Sequence, residues 1–202
     1  DSFVEGVKIG GAQAYTEYRG KGFILDDLAK KLSDFTGAAI DPVNEIIATP
    51  GTQGALFLAM GANIARGDKV AIVEPDYFAN RKLVEFFDGE LVPIQMEYTK
   101  YTDRAGLDLA ALEESFKNGV KLFLYSNPNN PTGSIYSEEE VKSIGKLGKE
   151  YGVTVIADEL YSRQIFDGRK YTHLRNQEIV PDNLVTIIGP SKTESLSGYR
   201  LG

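Results

Sequence analysis

The sequence contains no cysteine, which excludes disulfides, thiolate metal sites and a cysteine nucleophile. Histidine is nearly absent too. The single copy, His173 in Tyr171-Thr-His-Leu174, has no histidine or acidic partner at metal-ligand spacing and reads as a loop residue without a chemical role. No apolar run is long enough to span a bilayer, and no secretory signal pattern is visible. An excess of positive charge is also missing. Lys+Arg total 22 against 29 Asp+Glu, and the net charge of −7 argues against a general nucleic-acid or anionic-membrane surface.

What remains is ordinary globular material: 202 residues, 42% hydrophobic and 25% charged, enough to bury one sizeable core. The chain opens on Asp1 without a methionine and stops on Gly202. The expectation is therefore an excerpt, a single domain over 1–202 from which an N-terminal arm and a C-terminal small domain are missing. No repeat, low-complexity tract or linker divides it.

Residues 1–22 are dense in glycine and read as loop. From Ile24 to Phe35 the apolar residues fall at near-helical spacing, with Gly37 placed to cap the end. Glu45–Thr49 reads as a short strand, and a helix follows from about Ala55 to Arg66. Strand and helix then alternate. Strands are expected at Lys69–Val73, Glu90–Gln95, Lys121–Tyr125, Val153–Ala157 and 183–188. Helices are expected at Tyr77–Phe87, at Asp108–Phe116 with Asp108 as N-cap, and from a Ser137/Glu140 capping box to about Tyr151. Such alternation predicts an α/β fold, a mostly parallel central sheet with helices on both faces in three layers. Ligands of such sheets bind beyond the carboxyl ends of the strands, and the polar motifs cluster there.

The most informative of these motifs is the last, Gly189-Pro-Ser-Lys-Thr-Glu-Ser-Leu-Ser-Gly-Tyr-Arg-Leu-Gly202, which follows an apolar β-branched run. Lys192 just past a strand end, among small residues, is expected to be enclosed rather than a solvated surface charge. Its amine is a nucleophile when burial or a nearby cation lowers its pKa. Ser191, Ser195 and Arg200 supply what an anionic group needs. Pro50-Gly-Thr-Gln53 lies between a strand and a helix start, where free backbone N–H groups favour an anion; the alternative is Thr52 as a plain N-cap. Tyr77 in Glu74-Pro-Asp-Tyr77 is an aromatic at a strand exit. Asn127-Pro-Asn-Asn-Pro-Thr-Gly133 is a turn by composition. Asp158 in Asp158-Glu-Leu-Tyr161 ends a buried strand, where a carboxylate needs a partner. Glu159 reads as structural.

These motifs, in this order, resemble those of class I/II aminotransferases, fold-type I enzymes that use pyridoxal 5′-phosphate. The resemblance covers residues 15–202 and implies the large, cofactor-binding domain. It implies that Lys192 carries the cofactor covalently and then moves the substrate proton. Asp158 would pair with the pyridine nitrogen, Tyr161 and Asn130 would hydrogen-bond the phenolic oxygen, and Tyr77 would stack on the ring. Gly51, Thr52, Gln53, Ser191 and Arg200 would hold the phosphate, and Tyr15 would reach a neighbouring subunit's phosphate, with Tyr18 as a competitor. Amino acids and 2-oxo acids as substrates, a homodimer and a cytoplasmic location follow from the same resemblance. Two alternatives stay open: a β-lyase, decarboxylase or racemase on this scaffold, and the ligand-sensing domain of a transcription regulator. Two positions depart from the pattern. Gly189 stands where many relatives have a phosphate-binding serine, and Glu194 where an aromatic or apolar residue is common.

Overall fold

The computed structural model describes residues 2–8, 17–100 and 103–202. The chain falls into two compact units, Asp1–Ala48 and Thr49–Gly202.

Among its described residues the first unit contains two helices. Helix α1, Ser2–Lys8, takes the place of the first part of the loop expected over residues 1–22, while residues 17–21 are irregular as expected. The glycines behind that expectation lie mostly beyond Lys8, and Glu5 in the first turn with Lys8 in the last matches the helix dipole. Tyr15 lies outside the described residues. Helix α2, Gly22–Thr36, ends as expected at Gly37, whose left-handed φ of 75° lets its N–H reach Ser33 O. It buries Leu25 and Ala29 against Ile46. The strand expected at Glu45–Thr49 does not form. Among the described residues no strand runs beside it; Ile46 packs into that small cluster and the Ala48 N–H donates to Arg19 O at 2.9 Å.

The second unit is built on six strands: β1 Lys69–Glu74, β2 Glu90–Glu97, β3 Gly106–Leu107, β4 Val120–Ser126, β5 Thr154–Asp158 and β6 Leu184–Ile187. Their order is β3-β2-β1-β4-β5-β6. All neighbours are parallel except β3, which pairs antiparallel to β2 with Met96 opposite Leu107. A two-residue strand leaves no periodic trace, which is why the sequence did not announce β3.

Four helices cover the two faces: α3 Gly51–Asn63, α4 Phe78–Phe86, α5 Leu109–Lys117 and α6 Glu138–Tyr151. Alternation along the strands divides the core. Val70, Ile72, Leu122 and Leu124 pack with Leu56 and Met60 of α3 and Val84 of α4. Ala71, Val73, Phe123 and Tyr125 pack with Leu112 and Phe116 of α5 and Val141 and Ile144 of α6. Each fully buried Val, Leu, Ile or Phe contributes about 1.5–3 kcal/mol.

The caps follow the local chemistry. Asp108 accepts from Ala111 N–H at 2.9 Å, and Ser137 with Glu140 forms a complete capping box. Glu140 also accepts from Leu107 N–H at 2.8 Å and from Arg104 at 2.6 Å, so this cap ties β3 to α6. Helix α3 begins four residues earlier than expected, at Gly51 itself. That shift matters for the site.

Candidate active site

From β1 the chain crosses through α4 to β2 on one side, while β4 lies on the other side of β1. The carboxyl ends of β1 and β4 therefore border the crevice where a doubly wound sheet takes its ligand. A row of hydrogen bonds stitches the loops along this edge. Asp76, just past β1, accepts from the Ser126 hydroxyl at 2.6 Å and the Tyr77 N–H at 2.7 Å. Ser126 in turn accepts from Asn130 N–H at 3.2 Å. Asn127 N–H donates to Asp158 O at 3.0 Å, and Glu159 N–H to Ile187 O at 2.9 Å. Tyr77, Asn130 and Asp158 are thus carried on adjoining, mutually bonded loops.

At the start of α3 the structure brings together Gly51, Thr52, Gly189 and the final residues. Pro50 pairs antiparallel with Leu201, and Thr49 and Gly202 exchange backbone bonds of 2.8 and 3.1 Å. This places the Arg200 guanidinium against the bare α-carbon of Gly51. A Cβ there would lie 2.4 Å from Arg200 Nη2, and Gly51 also holds a left-handed φ of 78°, so only glycine serves. The helix has no side-chain cap, which sets aside Thr52 as a plain N-cap. The Gly51 N–H donates to Thr49 O at 2.7 Å and Arg200 Nη1 to Ser197 O at 2.8 Å. The following amides of a helix start beside a guanidinium can cradle an anion. Gly189 is explained here as well. A Cβ on it would lie 2.7 Å from Thr52 Cγ2, so the threonine methyl fills the space a serine side chain would enter.

Asp158 is buried, 8% exposed, and accepts from Leu160 N–H at 3.1 Å. Burial pushes its carboxyl up to about 7 against that single bond, and the nearby Asp76 and Glu159 carboxylates push the same way. Asp76 itself is lifted to about 6 by burial, against hydrogen bonds from Ser126, Tyr77 and Asn80. A buried carboxyl such as Asp158, with one backbone bond, has room to accept a cationic or N–H partner.

Asn130 and Tyr161 line one cavity of about 400 Å³, together with Pro128, Pro131 and Ile135. Burial raises the Tyr161 hydroxyl, with Asp158 and Tyr77 adding to the rise. Tyr77 is half-buried at the N-cap of α4. Ser191 is buried, but Lys192 is exposed, contrary to the expectation of an enclosed lysine. Its turn projects beyond β6, and no described element covers it.

Three residues gain significance only in the fold. Asp76 has just been described; a carboxylate beside an aromatic at a strand exit was its only sequence signal. His173 lies in a loop, as expected, but it is not idle there. It is buried and bonds through Nδ1 to Glu159 Oε2 at 2.5 Å, and Glu159 is 1% exposed. Arg163 pairs with Glu194, which accounts for the departure at that position.

A helix start beside a guanidinium, next to a buried carboxyl on the switch-point edge of a parallel sheet, defines the class: an α/β domain with a candidate ligand site at the carboxyl ends of its strands. The family is narrower than that class. The model of aminotransferase class I and II matches residues 7–202, and the chain belongs to this family. It is 63% identical to an aspartate aminotransferase from Rhodobacter sphaeroides whose crystal structure superposes with a TM-score of 0.95, covering 99% of this chain and 52% of that one. An aspartate aminotransferase of Sulfurisphaera tokodaii is 31% identical over 180 residues, 88% of this chain and 45% of that protein. Kynurenine–oxoglutarate transaminase 1 of Homo sapiens is 29% identical, over 93% of this chain and 46% of its own length. The chain thus spans about half the length of these relatives.

Proposed function

We propose that the protein containing this chain is a pyridoxal 5′-phosphate-dependent aminotransferase that moves an amino group between an amino acid and a 2-oxo acid. The observation that carries this reading is the Arg200 guanidinium lying on the bare α-carbon of Gly51 at the uncapped start of α3, eight residues after Lys192. The cradle suits a phosphate, and the buried Asp158 carboxyl, with one amide bond of its own, suits a protonated ring nitrogen. When bound, the cofactor supplies a carbon that links to an amine and a ring that takes up the electron pair left at the substrate Cα.

In this reading the α3 amides, Gly51, Thr52, Gln53, Ser191 and Arg200 hold the phosphate. Tyr77 covers the ring face. Asp158 keeps the proton on the ring nitrogen, and Tyr161 and Asn130 donate to the phenolic oxygen. Lys192 Nζ is the attachment point and then the base that takes the proton from Cα. Tyr15 is proposed to reach a partner subunit's phosphate in a homodimer, and a cytoplasmic location is proposed with it. Among the described residues no helix is long and apolar enough to cross a membrane.

Arg200→Ala is expected to weaken cofactor retention by about 1.5–3 kcal/mol, the range for hydrogen bonds to a charged group. Equilibrium dialysis of the cofactor reads this directly, and unchanged affinity would remove Arg200 from the site.

The function itself is tested by incubating the intact, cofactor-loaded protein with a panel of amino acids. Transamination is expected to give the matching 2-oxo acid and pyridoxamine phosphate in equal amounts. Ammonia, carbon dioxide or a racemised amino acid without pyridoxamine phosphate would assign other chemistry to the same scaffold. A protein that binds the cofactor but turns over no amino acid would point to a sensing domain.

A further inference from the structure

The turn that carries Lys192 is loosely bonded to itself. Glu194 N–H reaches Pro190 O at 3.2 Å, Leu196 N–H reaches the same oxygen at 3.3 Å, and Ser195 N–H reaches Lys192 O at 3.4 Å. Ser195 holds a left-handed φ of 54°, which a residue with a side chain adopts at some expense. Lys192 is exposed, so packing does not fix it. The turn is tied instead by a side chain from the next loop. Arg163 Nη1 lies 2.5 Å from Glu194 Oε1 and Nη2 lies 2.8 Å from Oε2, a fork-to-fork pair. The same Nη2 donates to the Thr193 hydroxyl at 2.7 Å, and that hydroxyl also bonds Glu194. Arg163 stands two residues after Tyr161, and Glu194 two residues after Lys192.

We infer that Arg163 is a positioning residue, clamping Thr193 and Glu194 so that the Lys192 turn and the Tyr161 loop keep one mutual placement. The inference rests on the reading of Lys192 as the attachment residue. Both partners are over a third exposed, at 39% and 37%, so their attraction alone adds little in water. The contribution is geometric. Two parallel N–H···O bonds plus a third to Thr193 define a plane, which a lysine point charge cannot do. A lysine side chain has four rotatable bonds, and holding the turn that carries it raises the fraction poised for attack. The clamp requires an acidic residue at 194, where an aromatic or apolar residue is common in the family pattern.

The test uses the intact protein and two ligands. Pyridoxal phosphate can be linked to Lys192, whereas pyridoxamine phosphate shares the ring and phosphate but lacks the aldehyde. The variants are R163K, R163M, E194Q and the double R163M/E194Q. Each single change is expected to slow covalent attachment at saturating pyridoxal phosphate by roughly tenfold, R163K included, because it keeps the charge and loses the fork. The double variant is expected to be no slower than the singles, since each removes the same clamp. Affinity for pyridoxamine phosphate should stay within about twofold of the parent, because the phosphate cradle is untouched. Attachment by R163K at the parental rate would overturn the inference. So would multiplicative losses in the double variant, or equal losses for both ligands. If borohydride fixed no cofactor onto Lys192 in the parent, the attachment reading would fail first, a result distinct from any difference among the variants.

Discussion

Lys192→Ala is expected to leave the intact protein able to hold pyridoxal 5′-phosphate in the Arg200 cradle and unable to link it. The cradle is made by Gly51, the α3 amides and Arg200, none of which depends on the lysine amine. Borohydride reduction of the parent followed by peptide mapping should place the cofactor on Lys192, and the variant should retain no borohydride-fixed cofactor. The same substitution removes the proposed base for the Cα proton. A positioned base contributes about 10²–10⁴-fold, so proton abstraction from a bound amino acid should slow by at least that factor. In this chain the Lys192 side chain belongs to none of the core clusters, so its loss leaves the packing of the sheet intact. Cofactor mapped to another lysine, such as Lys170, would sink the assignment.

Asp158→Ala separates holding the cofactor from using it. The phosphate cradle and Lys192 remain, so the variant should still bind and link the cofactor. Losing the carboxylate lowers the pKa of the ring nitrogen, by the ordinary effect of removing an opposite charge. A neutral ring accepts the Cα electron pair poorly, and the loss falls on the transition state for proton removal. A preorganised electrostatic contribution of this kind is worth about 2.7–4 kcal/mol, or a hundred- to thousandfold in rate. Single-turnover absorbance kinetics with cofactor-saturated protein would read it, and a rate within a few-fold of the parent would end the electron-sink role. The ligand-free chain offers a second readout. A carboxyl lifted from 3.8 to about 7 favours the native state when protonated, so its contribution is complete below about pH 4 and lost as pH rises through 7. The thermal midpoint of Asp158→Ala should therefore fall less between pH 4 and 7 than that of the parent.

Much of the site is legible because its residues follow recognisable strands at short range. Asp158 and Tyr161 are found by counting from the apolar run Val153–Ala157, and the structure places that run in the sheet as β5. The Ser137/Glu140 box and Asp108 are visible because a cap acts over three residues. The errors have a common origin. Glu45–Thr49 has the composition of a strand but forms no ladder among the described residues, while β3 has a neighbour and is too short to show a pattern. The helix expected from Ala55 starts at Gly51, because Pro50 and Gly51 read as turn residues unless the pairing of Pro50 with Leu201 is known.

The sequence by itself determined the α/β alternation, the residue types at each strand exit and the spacing of Lys192 from Arg200. Those properties rest on periods of two and 3.6 residues and on caps, all of which act between near neighbours along the chain. Only the tertiary structure decided the contacts between distant segments. It put Arg200 onto Gly51 and the Thr52 methyl into the space beside Gly189. It also buried His173 against Glu159, fourteen residues earlier, and joined Arg163 to Glu194 across two loops. Such contacts depend on which strand lies beside which, and that order is set by burying two core faces at once, a condition no local window of residues contains.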